Sequence, residues 1–545
     1  MSDNKKIAKN TLLLYIRMFI IMGVTLYTSR VVLDKLGVVD YGLYGVVGGI
    51  VAMLSFLNGT LMAGTSRFIT YELGAGNKQR LWETFNTSFY THSLLAIIVI
   101  LILETGGLWF LYHRLVIPAD RLNACFWVFQ LSILTTVVSI TQVPYNSLVT
   151  SHEKFNIYAY ISIFEAIAKL SVCYALIISH WDRLILYALL LALIQLLIAF
   201  YYRIYCNRHF EESHLALAFN KQIFRDLMGF SGWNIIAQLT HSLRIQGVVI
   251  LINMFLAPVV VAAQTIANQV CNAAMGFVNN FRVAFNPQII KLYASGDKEE
   301  SKKLTLNATI VSFDMVLLLA LPCIYAMPTI MDIWLVKVPD YAVLFTQCML
   351  ACNVIDVFNA SFYIPMLAAN KIKFNSMSAV FIGIGQFVLL YFVLRYSKEA
   401  MWVPIFNIVL TAVYSLLIKP YVLWKDIDYS IKELGMCYWC CLKVLVLSLV
   451  VTIPLYLYLD QSLASSTILI LSSLVAVAVS SWLFLDKDMK DKIVLVVKIK
   501  YINDEKIGDN RSFLSSGAHS EESKANGYLY HLLRMGRWCN MRRNL

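Results

Sequence analysis

Apolar runs recur from one end of the chain to the other, broken by short polar turns. Each is about 20 residues long, the length an α-helix needs to cross a bilayer. The pattern predicts about fourteen of them: near 12–33, 42–67, 84–111, 122–149, 157–179 and 184–205, two within 226–297, then near 304–330, 342–368, 374–395, 401–423, 437–459 and 464–485. Helices satisfy their own backbone groups in lipid and open strands cannot. The expected fold class is therefore an all-α polytopic membrane protein.

The pair within 226–297 departs from the plain apolar pattern. Gln264, Asn268, Asn272, Met275, Asn279 and Arg282 recur at helical spacing, so their side chains share one face. Asn234, Gln238, His241 and Arg244 repeat the arrangement on the preceding segment. An arginine at the centre of a bilayer costs about 2.5–3.5 kcal/mol, so such a stripe is expected to face protein or water. Single amides serve equally well as interhelical glue. Two complete stripes ending in arginine favour a polar cavity lined by Asn234, Gln238, Gln264, Asn268, Asn272 and Asn279, whose amides would suit sugar hydroxyls.

Composition narrows the class further. The 545 residues are 59% hydrophobic and only 14% charged, with a formal net charge of +12. That positive charge does not point to nucleic acid, because it is sorted by topology. Eighteen lysines and arginines fall in or beside the turns on one side, against seven on the other. The asymmetry predicts that both termini are cytoplasmic. The first apolar run continues as a full helix with no small-residue cleavage site, so no cleavable signal peptide is expected. Most of the eleven cysteines sit inside apolar spans, and Cys437, Cys440 and Cys441 have no second ligand cluster, so no metal site is expected.

An internal repeat organises the spans. Leu73–Lys78 (LGAGNK) recurs as Tyr293–Lys298 (YASGDK), 220 residues on, and the turn at Gly37 matches Ala257–Pro258 at the same offset. Lys154–Asn156 returns as Lys373–Asn375 at an offset of 219. The unit holds six helices, an even number, so the two halves point the same way in the membrane. Parallel-repeat transporters of this kind hold substrate near the midplane between the halves. The expected organisation is a six-helix lobe over 1–215, a second over 216–430, an additional helix pair over 431–485 and a basic tail over 486–545. The tail either lies on an anionic leaflet or is solvated and unstructured.

Charges inside the spans are the candidate chemistry. They are Arg17, Arg30, Arg67, Lys169, Arg244 and Arg282, against Glu104, Glu165, Asp314 and Asp356. Glu165 and Lys169 stand four apart in the favourable order for an ion pair, so a structural bridge and a functional pair are both open. Arg17, Arg67 and Arg282 sit near span ends, where snorkelling to the interface is an equal alternative. Arg30 and Arg244 have apolar residues on both sides. An excess of arginine over carboxylate suits a phosphate or pyrophosphate group, which the guanidinium fork binds in bidentate fashion. Glu165, Lys169, His241, Asp314 and Asp356 are open candidates for a coupling proton or sodium ion; no other cofactor is expected. No GxxxxGK[ST] loop is present to bind ATP. The outer loops are short, where a glycosyltransferase would usually need a larger one for its catalytic carboxylates and acceptor, so no enzyme is expected and a membrane glycosyltransferase is the lesser alternative.

Three stretches carry a family resemblance: Tyr27–Gly42 (YTSRVVLDKLGVVDYG), Phe230–Asn234 (FSGWN) and Asn286–Asp297 (NPQIIKLYASGD). Over about residues 5–430 the chain resembles bacterial polysaccharide flippases of O-antigen or capsule type. These belong to the multidrug/oligosaccharidyl-lipid/polysaccharide exporter (MOP) superfamily. The resemblance implies a V-shaped transporter of two six-helix lobes that alternates access. It would move polyprenyl-pyrophosphate-linked oligosaccharides from the cytoplasmic to the outer leaflet of the bacterial inner membrane. Membrane lipids and other polysaccharide-assembly membrane proteins are the implied partners, and nucleic acid is not. In the similar peptidoglycan-precursor flippases, arginines on the first, second and seventh spans matter, and Arg30, Arg67 and Arg244 are nearest by span. Those three and Arg282 form the expected pyrophosphate set. A cation-coupled multidrug exporter on the same scaffold is the alternative, disfavoured by a first span with no interior acid.

Overall fold

The computed structural model describes residues 2–54, 56–152, 154–369, 371, 373–460, 462–485 and 490, without the side chains of 2–20 and 230–238 among others. The expected tail, Lys490 apart, therefore lies outside the described residues, as do the side chains of Arg17, Asn234, Gln238 and His241. The chain divides into two compact units, residues 1–477 and 478–545.

The described residues are helical and contain no strand. Helix α1 is Ser2–Ala52, α2 Phe56–Ala75, α3 Lys78–His113, α4 Leu122–Ser151, α5 Phe155–Ile178 and α6 Arg183–His209. The second half begins with α7, which runs Lys221–Ser242, passes a π turn at Leu243–Gly247 and ends as Val248–Phe255. Then follow α8 Pro258–Ala294, α9 Lys298–Trp334, α10 Ala342–Ala368, α11 Lys373–Ser397 and α12 Trp402–Asp426. Helices α13 Ile431–Tyr458 and α14 Leu463–Phe484 close the order. Among the described residues, eleven helices are long and apolar enough to cross a membrane. The protein is thus a multi-pass membrane protein. Helices α2, α7 and α8 are not among the eleven as whole helices; α7 and α8 carry the two polar stripes.

Gly37 explains why α1 is so long. Its φ of 81° and ψ of 165° interrupt the helix, a backbone state open to glycine and strained for other residues. On either side of this break α1 meets α5 (Cys173 beside the Thr28 carbonyl) and then α6 (Tyr44 against Tyr187, ring centroids 4.8 Å apart). The chain therefore turns at Gly37, as the sequence predicts, and the second crossing starts at Val38. The turns after α2 and α8 share one geometry. Gly76 and Gly296, 220 residues apart, both have positive φ (69° and 87°), and their amides donate to Leu73 and Tyr293 at 3.2 Å. After α4 and α10 the matching turn bonds, Lys154 to Val149 and Lys371 to Met366, lie 217 apart. Geometry thus shifts the register of that later repeat by two residues from the Lys-Phe-Asn match.

The Gly37 side of the first half is fastened by charge. Arg121, before α4, bonds Asp40 on α1 through two nitrogens and Asp182 at 2.7 Å. Asp182 also caps α6, accepting from Leu184 and Ile185 at 3.0 and 3.3 Å. Burial opposes the Asp182 charge, but Arg121 and those two amides outweigh it and lower its pKa. On the opposite side, the connection from α6 to α7 is strapped to α3. Trp82 and Asn86 donate to the His214 carbonyl, and Asn86 accepts from Ala216 at 2.8 Å. The added helix α13 lies on α9 and α10, with Tyr325 bonded to Thr452 at 3.1 Å and Tyr438 packed on Phe358.

Candidate functional site

The polar stripe of α8 forms one face, and α10 covers part of it. Gln264 is buried, donating to Asn268 at 3.2 Å and lying against the Met349 sulfur. Arg282 is also buried, bonding Asn279 at 3.2 Å and reaching the Val357 carbonyl at 3.5 Å. Its Nε has no partner among the described residues, and Asp356 on α10 is the nearby counter-charge. Asn272 and Asn279 are exposed, so the stripe is divided between an interhelical seam and an open face.

The candidate arginines occupy different surroundings. Arg30 donates to the Ile333 carbonyl at the end of α9 at 2.9 Å, and Trp334 returns a bond to the Leu26 carbonyl at 2.8 Å. Arg67 is exposed on α2. Arg244 lies in the π turn of α7 and donates to Thr411 on α12 at 2.8 Å. Glu104 occupies a second π turn, Leu103–Gly107, and accepts from Gln130. π turns break the regular ladder and recur at functional sites. Among the described residues, Arg30, Arg244 and Arg282 bond to separate partners. Of the other charged candidates, Glu165 and Lys169 pair at 2.7 Å on a largely exposed face of α5. Asp314 lies beside Cys441 of α13, and Asp356 accepts from Asn359 at 2.9 Å.

Around Arg244 the second half lines a half-open cavity of about 390 Å³ between α7, α10, α11 and α12. Its wall includes Asn359, Tyr363, Asn375, Gln386, Tyr414 and Lys419. Lys419 escapes sequence reasoning. It stands before Pro420 near the end of a predicted span, where the local sequence does not mark it, and it is only 1% exposed. Two further groups are missed in the same way. His92 is fully buried on α3, with Nδ1 2.6 Å from the Ser88 carbonyl, and Arg203 bonds Thr141 at 3.1 Å from inside α6. Their only sequence signal is a charged or titratable residue inside an apolar run.

The two halves meet closely near Gly37. A Cβ on Gly42 would stand 2.0 Å from the Pro258 carbonyl oxygen, and one on Gly45 would stand 2.9 Å from the Thr265 hydroxyl. Gln269 bonds the Tyr41 hydroxyl at 2.8 Å, and Asn253, fully buried, bonds both backbone groups of Val116.

Solved structures place this architecture. The lipid II flippase MurJ, in an inward closed conformation, matches with a TM-score of 0.66 at 13% identity, covering 87% of this chain and 98% of that one. The fold is that of the MOP-superfamily transporters. An inward-facing multidrug resistance MATE transporter of that superfamily matches at 0.57 and 11% identity, covering 75% of this chain and 96% of its own. A MOP transporter from Pyrococcus furiosus, described as having a binding pocket of reverse polarity, matches at 0.54 and 14%, covering 76% and 95%. No protein-family model matches the chain, and no curated protein matches it. In this MOP fold the pairs Arg30–Ile333 and Gly42–Pro258 both join the first six helices to the second six.

Proposed function

We propose that the chain is a flippase that carries a polyprenyl-pyrophosphate-linked oligosaccharide across the inner membrane by alternating access, for surface polysaccharide of O-antigen or capsule type. The observation that carries this reading is how far the lipid II flippase likeness extends. It covers 87% of the chain, against 75–76% for the MATE structures. The difference is about the length of the α13–α14 pair. The charge balance supports an anionic cargo: among the described groups within the helices, Arg30, Arg244, Arg282 and Lys419 outnumber Glu104, Asp314 and Asp356. Arg30 and Arg244 each use one bond in this state, and a guanidinium has five donors, so both retain capacity for pyrophosphate oxygens. Asn272 and Asn279, on the open part of the α8 stripe, are assigned to the glycan. The sorted basic turns support a cytoplasmic position for the Lys78 side.

The test is movement of a fluorescent polyprenyl-pyrophosphate oligosaccharide between leaflets of proteoliposomes. Wild type should move it, and Arg30→Ala and Arg244→Ala, folded by thermal melting, should each slow movement tenfold or more. Unchanged movement in both variants would reject the pyrophosphate assignment. The MATE likeness favours a second reading, a cation-coupled multidrug exporter. Export of a cationic dye with no movement of any lipid-linked glycan would establish that reading instead.

A further inference from the structure

The cavity of the second half holds a buried cation without a matching acceptor. Lys419 is 1% exposed, and among the described residues its Nζ lies over two aromatic faces, 5.3 Å from the Tyr363 centroid and 5.2 Å from that of Tyr414, with the Asp356 carboxylate near by as a counter-charge. Among the described residues it makes no hydrogen bond or ion pair. An ammonium carries three donors, and aromatic faces satisfy none of them directionally. With no protein acceptor, the ammonium's donors are left to whatever occupies the pocket that Lys419 lines, and its 390 Å³ has room for a small ligand that supplies an acceptor.

The rest of the wall defines that ligand. Arg244 adds a second cation with unused donors, and Asp356, bonded to the lining residue Asn359, removes one charge from the local sum. The balance left is a single positive charge. Asn359, Asn375, Ser376 and Gln386 bring amide and hydroxyl groups, and Tyr363 and Tyr414 bring ring faces. Amides and aromatic rings together suit a hydroxylated ring, and the volume lies at the lower end of the roughly 300–1,000 Å³ typical of small-molecule sites. From this we propose that the α7/α10/α11/α12 cavity is a binding site for one acidic sugar, whose carboxylate is received by Lys419 and Arg244. The inference rests on the flippase reading only for the source of the sugar, a unit of the carried glycan as against a free sugar acid.

The experiment uses the full chain in detergent with D-glucuronate as probe, D-glucose as the neutral control and acetate as the ring-less acid. Glucuronate should bind at least tenfold more tightly than either control and should raise the melting temperature of wild type. Lys419→Met removes the buried charge and keeps the length, so without ligand it should melt higher than wild type and should no longer respond to glucuronate. Ala379→Trp, which fills the cavity and leaves both cations, should also abolish the response. Equal binding of glucuronate and glucose, or an undiminished glucuronate response in Lys419→Met, would overturn the proposal. If free glucuronate binds but lipid-linked acidic and neutral glycans move equally fast, the ligand is the free acid and not the cargo. Movement of lipid-linked glycans with no glucuronate binding would sink this site and leave the flippase reading intact.

Discussion

Adding one methyl group at Gly42 should pry open the seam near Gly37. An alanine Cβ at that position would stand 2.0 Å from the Pro258 carbonyl oxygen, 2.8 Å from its carbon and 3.3 Å from its Cα. All three are backbone atoms, so no rotamer change relieves the clash. Restoring a contact of about 3.4 Å requires α1 and α8 to part by about 1.4 Å, and overpacking of that kind costs about 1–3 kcal/mol. Each 1.4 kcal/mol is a factor of ten in an equilibrium. The closed arrangement on this side should therefore lose about 5- to 150-fold in population relative to an open one. The same helix supplies the control, because a Cβ on Gly48 meets nothing within 4 Å.

The assay is labelling of a cysteine at Tyr41, which is 5% exposed, by a membrane-impermeant maleimide in a background without reactive native thiols. Gly42→Ala should accelerate labelling by at least fivefold and slow transport, while Gly48→Ala should behave as wild type. If Gly42→Ala labels and transports as wild type does, helix approach at this point does not hold the seam, and the reasoning fails.

Three further outcomes are expected. Trp334→Phe keeps the ring and loses the donor to Leu26, so the seam should weaken by about 0.5–1.5 kcal/mol, read as faster labelling at Tyr41 with unchanged melting temperature. Asn253→Ala leaves both backbone groups of Val116 without their buried partner and should cost about 1–3 kcal/mol, read as a lower melting temperature in detergent. Asp182 has a folded pKa below its unfolded value of about 3.9. Its contribution is therefore complete above about pH 4 and is lost as pH falls through the folded value. Melting temperature should drop below pH 4, and Asp182→Asn, which keeps an acceptor for the cap but loses the charge, should flatten that drop.

Periodicity and turn chemistry are local, and what depends on them was legible. The turn at Gly37, the glycine-rich second crossing and the paired glycines Gly76 and Gly296 all follow from short stretches of sequence. The stripe on α8 was legible as a face, since spacing fixes which side chains point the same way. Spacing does not fix what a face meets. Gln264 and Arg282 turn to α10, while Asn272 and Asn279 remain open, and the difference depends on a helix about 80 residues away. Arg121 read as one more loop cation because its two carboxylates stand 81 and 61 residues from it. Lys419 was not singled out, because burial of a helix end depends on the helices packed around it, α10 and α11 here, and on no neighbour in sequence.

The chemistry of the contacts divides what is held firmly from what can part. Within the first half, the Gly37 side is held by a cation between two carboxylates, with Asp182 also capping a helix. Bonds to ionised partners are roughly twice as strong as neutral ones. Between the halves Asn220 meets the Glu83 carboxylate at 3.0 Å beside the α6–α7 connection, but the seam bonds from Leu26 to Asn253 are of another kind. Trp334 to Leu26, Ser242 to Met53 and Asn253 to Val116 are neutral side chains on backbone groups, and Gln269 to Tyr41 is neutral on both sides. Each contributes about 1 kcal/mol net, because water replaces the partner when the seam opens. Arg30 is the one cation among these seam bonds, and it is matched to the Ile333 carbonyl and not to a carboxylate. An ion pair there would lock the seam, whereas a guanidinium on a single carbonyl closes it and keeps donors for an anion. On the proposed flippase reading the chain must close on one side and reopen, which needs that combination, so Arg30→Lys, with a point charge in place of the fork, should still close the seam but should transport a pyrophosphate cargo poorly. Loss of closure and transport in equal measure would assign Arg30 to the seam alone.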